Sequence, residues 1–221
     1  MNHSTTSSGE QLLIYLGGMA ETGKSQVIKA LAQFFEHQEE AHQFQLVAPT
    51  GAAAAIIGGT TYHSLLGINP TSADNMSTNM ISQLKSRLKG TDYILLDEVS
   101  MLGAHDLFAV SKHLCLATGR HDKPFGELNM ILTGDFAQLL PVSQQTFYSG
   151  GLGPTVHATT TPLQETTVGK SLWHLFTTVV ILCQNMCQQS QSTQNSLLRT
   201  ALENMQYKAC TQSDLVFLNS L

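Results

Sequence analysis

Short apolar runs, each followed by small or acidic residues and then by a helical pattern, recur along this 221-residue chain. Alternation of buried strands with helices is typical of an α/β fold with a parallel sheet. The runs are continuously apolar, which suits strands covered by helices on both faces. The sequence therefore predicts a mostly parallel sheet with helices on both faces. The predicted strands are residues 12–16, 44–48, 93–96, 128–132 and 179–182.

Helices with an apolar face are predicted after the first and third of these strands, and we expect both faces to lie in the core. Two segments rich in Gly, Ser, Thr, Asn, Gln or Pro, residues 67–79 and 143–167, predict surface loops. A further helical pattern follows a Gln- and Ser-rich stretch near the C-terminus. The three apolar patterns are Val27, Ile28, Leu31, Phe34 and Phe35; Leu107, Phe108, Val110 and Leu114; and Leu197, Leu198, Leu202 and Met205.

Charge, the length of the apolar runs and the cysteine spacing argue against several classes of protein. With 11 Lys+Arg against 16 Asp+Glu, bulk charge argues against a protein that coats nucleic acid, although a local groove stays open. No run approaches the roughly 20 apolar residues of a membrane span. Residues 1–10 lack the apolar run of a signal peptide, so we expect a soluble, intracellular protein. Because Cys115, Cys183, Cys187 and Cys210 have no CxxC spacing, we expect free thiols.

A glycine-rich segment between the first predicted strand and helix fits the pattern GxxxxGK[ST]. In such a loop backbone N–H groups converge on phosphates, the lysine supplies positive charge, and the hydroxyl reaches Mg²⁺. We therefore predict a nucleoside triphosphate and Mg²⁺ as ligands. Glu21 adds a carboxylate, which either opposes the phosphates or points outward to solvent. The predicted nucleotide-binding residues are Gly18, Met19, Ala20, Glu21, Thr22, Gly23, Lys24 and Ser25.

Two carboxylates, Asp97 and Glu98, end the predicted strand 93–96, and α/β folds place their chemistry at the carboxyl ends of strands. Asp97 and Ser25 are predicted to hold Mg²⁺, and Glu98 to orient and deprotonate the attacking water. Gln138, after strand 128–132, is predicted to meet the γ-phosphate or that water. The predicted catalytic residues are Lys24, Asp97, Glu98 and Gln138.

Motifs in a fixed order resemble the Pif1/RecD-type helicases of superfamily one, particularly their Helitron-associated fungal branch. They are GGMAETGKS from residue 17, APTGAAA from 48, TYHS from 61, LDEVSM from 96 and GDFAQL from 134. The resemblance implies a RecA-like P-loop NTPase domain of an ATP-dependent helicase that moves 5′ to 3′ on single-stranded DNA. It also implies roles in DNA repair, recombination and telomere maintenance, and a nuclear location with the mitochondrion as the alternative.

The same resemblance assigns two segments to the DNA strand. Small residues and exposed backbone N–H groups let a phosphate backbone approach, and hydroxyl and imidazole groups offer hydrogen bonds. The alternative for the first segment is an alanine-rich helix start packed on the sheet. Lys85, Arg87 and Lys89 either add phosphate contacts or form a solvated helix face. The implied DNA-binding residues are Pro49, Thr50, Gly51, Ala52, Thr61, His63 and Ser64.

The chain departs from the family pattern at Cys187, where the resemblance implies an arginine that contacts the γ-phosphate. Arginine fingers contribute on the order of 10³ to 10⁵ in rate, and a thiol cannot replace that cation. The chain also ends before a second RecA-like domain. We therefore expect a truncated or impaired motor, with an arginine supplied by such a domain or by another protein.

The expected organisation is a disordered tail over residues 1–10, an ATP-binding domain over 11–189 and a helical segment over 190–221. Two other functions stay open. One is a non-catalytic nucleotide- or DNA-binding remnant of a helicase, and the other is a P-loop ATPase that acts on proteins or small molecules.

Overall fold

A computed structural model describes residues 10–69, 76–142, 144–148, 161–184, 193–206 and 208–220. The strands in these ranges are β1 (Leu13–Gly18), β2 (Phe44–Ala48), β3 (Thr60–Thr61), β4 (Tyr93–Leu96), β5 (Asn129–Gly134) and β6 (Thr178–Leu182). Within the described ranges these strands form one six-stranded sheet in the order β3-β2-β4-β5-β1-β6. Every pairing in it is parallel.

Helices connect the strands on both faces of the sheet. They are α1 (Lys24–His37), α2 (Gly51–Ile56), α3 (Tyr62–Leu66), α4 (Thr78–Arg87), α5 (Ala104–Thr118), α6 (Thr161–Trp173), α7 (Thr193–Gln206) and α8 (Gln212–Leu218). Short 3-10 helices occupy Ala41–Gln43, Val99–Met101 and Pro124–Glu127. No helix in the described part of the chain is long and apolar enough to span a membrane.

The predicted α/β fold with a parallel sheet is confirmed. Each predicted apolar run is a strand, and its ends differ from the prediction by at most two residues. The sequence did not indicate β3, because its two threonines carry no apolar run. It joins the sheet through backbone pairing with Val47 and Ala48 of β2.

Side chains of the central strands alternate between two apolar clusters, one on each face of the sheet. Ile94 and Leu96 of β4 belong to the cluster that packs against α3, α4, α5 and α6. Leu95 belongs to the cluster that packs against α1 and α2. Because all these side chains are buried, β4 is held from both faces, and the residues that follow it begin from a fixed point.

Two expectations about the core were wrong. Phe34 is 57% exposed, whereas Phe35 next to it is 9% exposed, because the inward face of α1 is narrower than the apolar stripe in the sequence. The second concerns β6, where Val179, Val180 and Ile181 are all exposed. In the described ranges β6 pairs with β1 alone, so it is an edge strand that is not covered on both faces.

The predicted loop over residues 143–167 was also wrong in part, because α6 begins at Thr161. The threonines of this segment made the sequence read as a loop. In the helix, the Thr167 hydroxyl donates to the Leu163 carbonyl one turn earlier. A Cβ at Gly169 would overlap the Ala104 carbonyl, so glycine permits the close packing of α6 on α5. Residue 143 and residues 149–160 lie outside the described residues, as do residues 70–75 of the other predicted loop.

The C-terminal apolar pattern forms α7, and α8 packs against it. Leu197 and Met205 are exposed, whereas Ala201 is fully buried. The expected tail over residues 1–9 and the expected boundary at residues 189 and 190 lie outside the described residues. Cys115, Cys183 and Cys210 are free thiols, as predicted.

The adjacent phenylalanines of α1 provide a test of its inward face. We expect Phe35→Ala to lower the free energy of unfolding by about 3 kcal/mol, because a buried ring is lost and a cavity remains. Phe34→Ala is the matched control, with an expected loss within about 1 kcal/mol from its exposed edge contact with Phe35. Urea denaturation measures both, and equal losses would contradict the assigned face.

Candidate functional site

The loop between β1 and α1 is the first part of the site. A Cβ at Gly18 would crowd the Thr22 hydroxyl and the Leu182 carbonyl, so glycine allows this close approach of the backbone. Gly23 has φ 95°, in the left-handed region, where it precedes the first turn of α1. The Thr22 hydroxyl donates to the Met19 carbonyl at 2.8 Å and closes the loop.

The N-terminus of α1 fits an anionic ligand. Its N-cap residue makes no side-chain hydrogen bond to the helix, and its first turn contains no acidic residue. The backbone N–H groups of a first helical turn have no partner within the helix, and the helix dipole favours negative charge there. Lys24 Nζ donates to the carbonyls of Gly18 at 2.6 Å and of Met19 at 2.8 Å, which places its charge beside the loop.

Glu21 and Ser25 are both exposed at this loop. The backbone of Glu21 has φ 63°, a conformation that costs free energy for a residue with a Cβ. Its exposure agrees with the outward orientation that the sequence left open. Ser25 is the second residue of α1, next to Lys24.

The carboxyl end of β4 contributes Asp97 and Glu98. Asp97 is buried, its backbone N–H donates to the Val47 carbonyl at 2.9 Å, and its carboxylate accepts from the hydroxyl of Thr133. Glu98 has φ 52° and begins the 3-10 helix Val99–Met101. These contacts connect the acidic pair to both neighbours of β4 in the sheet.

Burial and nearby carboxylates act on Glu98. Burial raises the pKa of its carboxyl above the usual value of 4.5, the negative charges of Asp97 and Asp135 raise it further, and the positive charge of Lys24 lowers it. A carboxylate with a raised pKa is a better proton acceptor. The same interactions show that Lys24, Asp97 and Asp135 lie near enough to act on one group.

The loop after β5 places Gln138 at the same edge. Its backbone N–H donates to the Asp135 carbonyl at 3.0 Å, and its side chain is exposed. The Asp135 carboxylate accepts from the Ala137 N–H at 2.9 Å. The sequence did not single out Asp135 or Thr133 as site residues, although their place at the end of an apolar strand was the available signal.

An aromatic cluster holds the start of this loop. The ring of Phe136 lies 5.2 Å from Tyr15, 5.3 Å from Trp173 and 5.1 Å from Tyr148, centroid to centroid. The Tyr15 hydroxyl donates to the Gly134 carbonyl at 3.2 Å. Burial, with a contribution from Asp135, raises the pKa of Tyr15 to about 12, so this hydroxyl keeps its proton and stays a donor.

The two segments implied to bind DNA follow β2 and β3. The Thr50 hydroxyl accepts from the Ala53 N–H, and the Thr61 hydroxyl accepts from the Ser64 N–H, so each threonine begins a helix. Gly51 and Ala52 are exposed. From the strand order, β2 and β3 lie about 14 and 19 Å from β1 along the same edge.

Pro49 and His63 are half-buried and Ser64 is exposed. Arg87, which was predicted either to contact phosphates or to lie on a solvated helix face, is exposed, and its Nη1 donates to the Ser64 carbonyl at 2.6 Å. This arginine therefore closes the C-terminal end of α3 from α4. Cys187, where the resemblance implies an arginine, lies outside the described residues.

The sequence of this chain is similar to a known family of proteins. A family model described as PIF1-like helicase matches residues 2–206. The ATP-dependent DNA helicase PIF4 of Trypanosoma brucei brucei is 36% identical over 146 residues, which cover 62% of this chain and 18% of that protein. The ATP-dependent DNA helicase PIF1 of Homo sapiens is 34% identical over 134 residues, which cover 59% and 20%. The chain thus matches about a fifth of the length of these relatives.

Solved structures share the fold. The chain superimposes on Bacteroides Pif1 bound to single-stranded DNA with a TM-score of 0.65 and 22% identity, over 96% of this chain and 46% of that one. For Pif1 helicase from Candida albicans the TM-score is 0.64 at 23% identity, over 92% and 42%. At this identity the likeness establishes the RecA-like architecture.

The raised pKa of Glu98 gives a pH-dependent prediction. The folded chain retains this proton at pH values where the unfolded chain has lost it, so stability falls as pH rises from 4.5 through the raised pKa. We expect Glu98→Gln to be more stable than the parent at pH 7 and equal to it at pH 4. Urea unfolding across this range measures the difference. Glu36→Gln, which removes an exposed carboxylate, is the control, and a gain independent of pH would contradict the assignment.

Proposed function

Because the chain belongs to the PIF1-like helicase family, we propose that it is the ATP-hydrolysing motor domain of an ATP-dependent DNA helicase that moves 5′ to 3′ on single-stranded DNA. The supporting observation is the group of charges at the carboxyl edge of the sheet. Lys24, Asp97 and Asp135 all act on Glu98, beside the uncapped N-terminus of α1.

In this proposal the backbone N–H groups of residues 18–25 bind the phosphates of ATP. Lys24 exchanges the loop carbonyls for the β and γ phosphate oxygens, which are stronger acceptors because they are charged. Glu98 takes a proton from the attacking water, to which its raised pKa is suited. Gln138 meets the γ-phosphate or the water. The relative Bacteroides Pif1 forms a complex with ADP-AlF3, which supports a nucleotide ligand here.

The residues also fit Mg²⁺. Hard divalent cations take oxygen ligands, and Ser25 and Asp97 offer a hydroxyl and a carboxylate at the start of α1 and the end of β4. When bound, Mg²⁺ supplies positive charge that stabilises the phosphates during transfer. The Thr133 hydroxyl orients the Asp97 carboxylate.

We propose that single-stranded DNA contacts the segments after β2 and β3, through Pro49, Thr50, Gly51, Ala52, Thr61, His63 and Ser64. Bacteroides Pif1 is bound to single-stranded DNA in its crystal structure. Because the Thr50 and Thr61 hydroxyls accept helix N–H bonds, their part is to shape the two turns. The exposed Gly51, Ala52 and Ser64 then offer backbone and hydroxyl groups to the phosphates.

A non-catalytic nucleotide- or DNA-binding module is the second candidate function. It is favoured by Glu21, because the backbone of this residue adopts a strained conformation in the loop that would bind the phosphates. Cys187 favours it as well. In the motor proposal, a second RecA-like domain or another protein supplies the arginine.

The finer assignments rest on the family motifs. We propose that the chain is related to the Helitron-associated fungal helicases, that it acts in the nucleus, and that its processes are DNA repair, recombination and telomere maintenance. We propose residues 11–189 as the ATP-binding domain, residues 1–10 as a tail and residues 190–221 as a helical segment. The mutual packing of α7 and α8 supports the last of these.

ATP turnover separates the two candidate functions. The experiment measures steady-state ATP hydrolysis with Mg²⁺, with and without oligo-dT, for the parent and for Cys187→Arg. The motor proposal predicts turnover that oligo-dT accelerates in at least one of the two chains. Nucleotide binding without turnover in both would favour the non-catalytic module.

The role of Lys24 is tested on nucleotide affinity. We expect Lys24→Ala to weaken binding of a fluorescent ATP analogue by about 10² to 10³, because a charged donor to the phosphates is lost. Lys29→Ala is the matched control, since Lys29 is exposed on the same helix. We expect this variant to bind the ATP analogue as tightly as the parent does. Equal affinities for the two variants would contradict the assigned role.

The DNA segment after β2 is tested by added charge. We expect Ala52→Glu to weaken oligo-dT binding about tenfold, because a carboxylate beside a phosphate costs roughly 1 kcal/mol or more. A negative charge at the start of a helix stabilises it, so the loss cannot come from melting of α2. Ile56→Glu, at the exposed opposite end of α2, is the control, and equal weakening by both variants would contradict this DNA path.

A further inference from the structure

A buried tyrosine lies between two of the proposed DNA-binding residues. Tyr62 is 2% exposed, and it separates Thr61 from His63. Its hydroxyl donates to Asp106 Oδ2 at 3.0 Å. Burial and the neighbouring carboxylate raise the pKa of Tyr62, so the hydroxyl stays protonated and remains a donor at any pH used for an assay.

The ring of His63 rests on this tyrosine. The two ring centroids are 3.9 Å apart, with planes inclined by 30°. Rotation or displacement of Tyr62 therefore changes the position of the imidazole. The C-terminal half of α3 is fixed by the bond from Arg87 to the Ser64 carbonyl and by the hydrogen bond between His113 Nδ1 and the Leu66 carbonyl at 2.9 Å. Tyr62 anchors the N-terminal half, beside His63.

Asp106 joins this tyrosine to α5, the helix that follows the acidic pair in the chain. It lies in the first turn of α5, which begins at Ala104. The segment from Glu98 to α5 is held by Val99 and Leu102, which are buried, and by the bond from the Ala104 N–H to the Gln145 carbonyl at 2.9 Å. These contacts fix the start of α5, so Asp106 accepts the Tyr62 hydroxyl from a fixed position.

A histidine and a second carboxylate lie beside Asp106. His105 Nδ1 lies 3.9 Å from Asp106 Oδ1, and His105 Nε2 lies 3.1 Å from Glu165 Oε2 on α6. The negative charge of Asp106 repels DNA phosphates. Its contribution to DNA binding is therefore the hydrogen bond that it accepts from the Tyr62 hydroxyl.

We propose that the Tyr62–Asp106 hydrogen bond positions the turn Thr61–Ser64 for single-stranded DNA. Tyr62 and Asp106 are positioning residues that act through Thr61, His63 and Ser64. This inference rests on the proposed function, because it assigns a part to residues beside the proposed DNA path.

The test compares affinities for two ligands in a set of matched variants of the full chain. Tyr62→Phe removes the hydroxyl and keeps the buried ring, and Asp106→Ala removes the acceptor. Asp106→Asn keeps an acceptor oxygen and removes the charge. Tyr93→Phe is the control, because Tyr93 begins β4 at the end opposite to Asp97. Fluorescence anisotropy gives the Kd for labelled oligo-dT, and a fluorescent ATP analogue gives the Kd for nucleotide.

We expect Tyr62→Phe and Asp106→Ala to weaken oligo-dT binding about fivefold to tenfold, the effect of one hydrogen bond. Nucleotide affinity is expected to stay within about twofold of the parent, since neither residue contacts the phosphate loop. Asp106→Asn is expected to bind oligo-dT at least half as tightly as the parent, and Tyr93→Phe to match the parent. Rescue by the amide separates positioning from a general loss of stability.

Three results would overturn the inference while leaving the proposed function intact. The first is unchanged oligo-dT affinity in Tyr62→Phe, and the second is an Asp106→Asn variant as weak as Asp106→Ala. The third is equal weakening of both ligands in Tyr62→Phe, which would assign the bond to folding. A parent chain that binds nucleotide but no oligo-dT would reject the DNA part of the proposed function, and this inference with it.

Discussion

Parallel pairing brings the carboxyl ends of β1 to β6 to one edge of the sheet, with neighbouring strands about 4.8 Å apart. The residues of the proposed nucleotide and DNA sites follow the strands that end at that edge. The phosphate loop follows β1, the acidic pair follows β4, and Gln138 follows β5. The proposed DNA segments follow β2 and β3, farther along the same edge. Burial of β4 on both faces keeps these starting points fixed relative to one another.

The electrostatics of the site follow from this convergence. Asp97, Glu98 and Asp135 meet near Lys24 at strand ends where burial removes part of their hydration. Buried carboxylates cost free energy unless hydrogen bonds or cations compensate them. The Thr133 hydroxyl compensates Asp97, and the Ala137 N–H compensates Asp135. Burial and the neighbouring carboxylates raise the pKa of Glu98, and Lys24 lowers it; a raised pKa makes the carboxylate a better proton acceptor.

The sequence predicted the strands well because buried parallel strands are continuous apolar runs. It predicted the loop and acidic pair because their chemistry requires particular residues at fixed spacing. It did not single out Asp135 or Thr133, because their interactions with Glu98 and Asp97 join strands that are distant in sequence. The same limit applies to Arg87, whose contact with the Ser64 carbonyl joins α4 to α3. Phe34 and β6 were misassigned because apolar character indicates burial without indicating which neighbour covers a residue.

In the proposed function nucleotide and DNA bind along one edge of the sheet, and we expect the two binding equilibria to be thermodynamically linked. The most direct test measures oligo-dT affinity of the full chain with and without a saturating non-hydrolysable ATP analogue and Mg²⁺. The account predicts that the analogue changes the Kd by about fivefold or more, with the reciprocal change in analogue affinity when DNA is saturating. Binding of both ligands with unchanged affinities would contradict the account, because the two halves of the edge would then act independently.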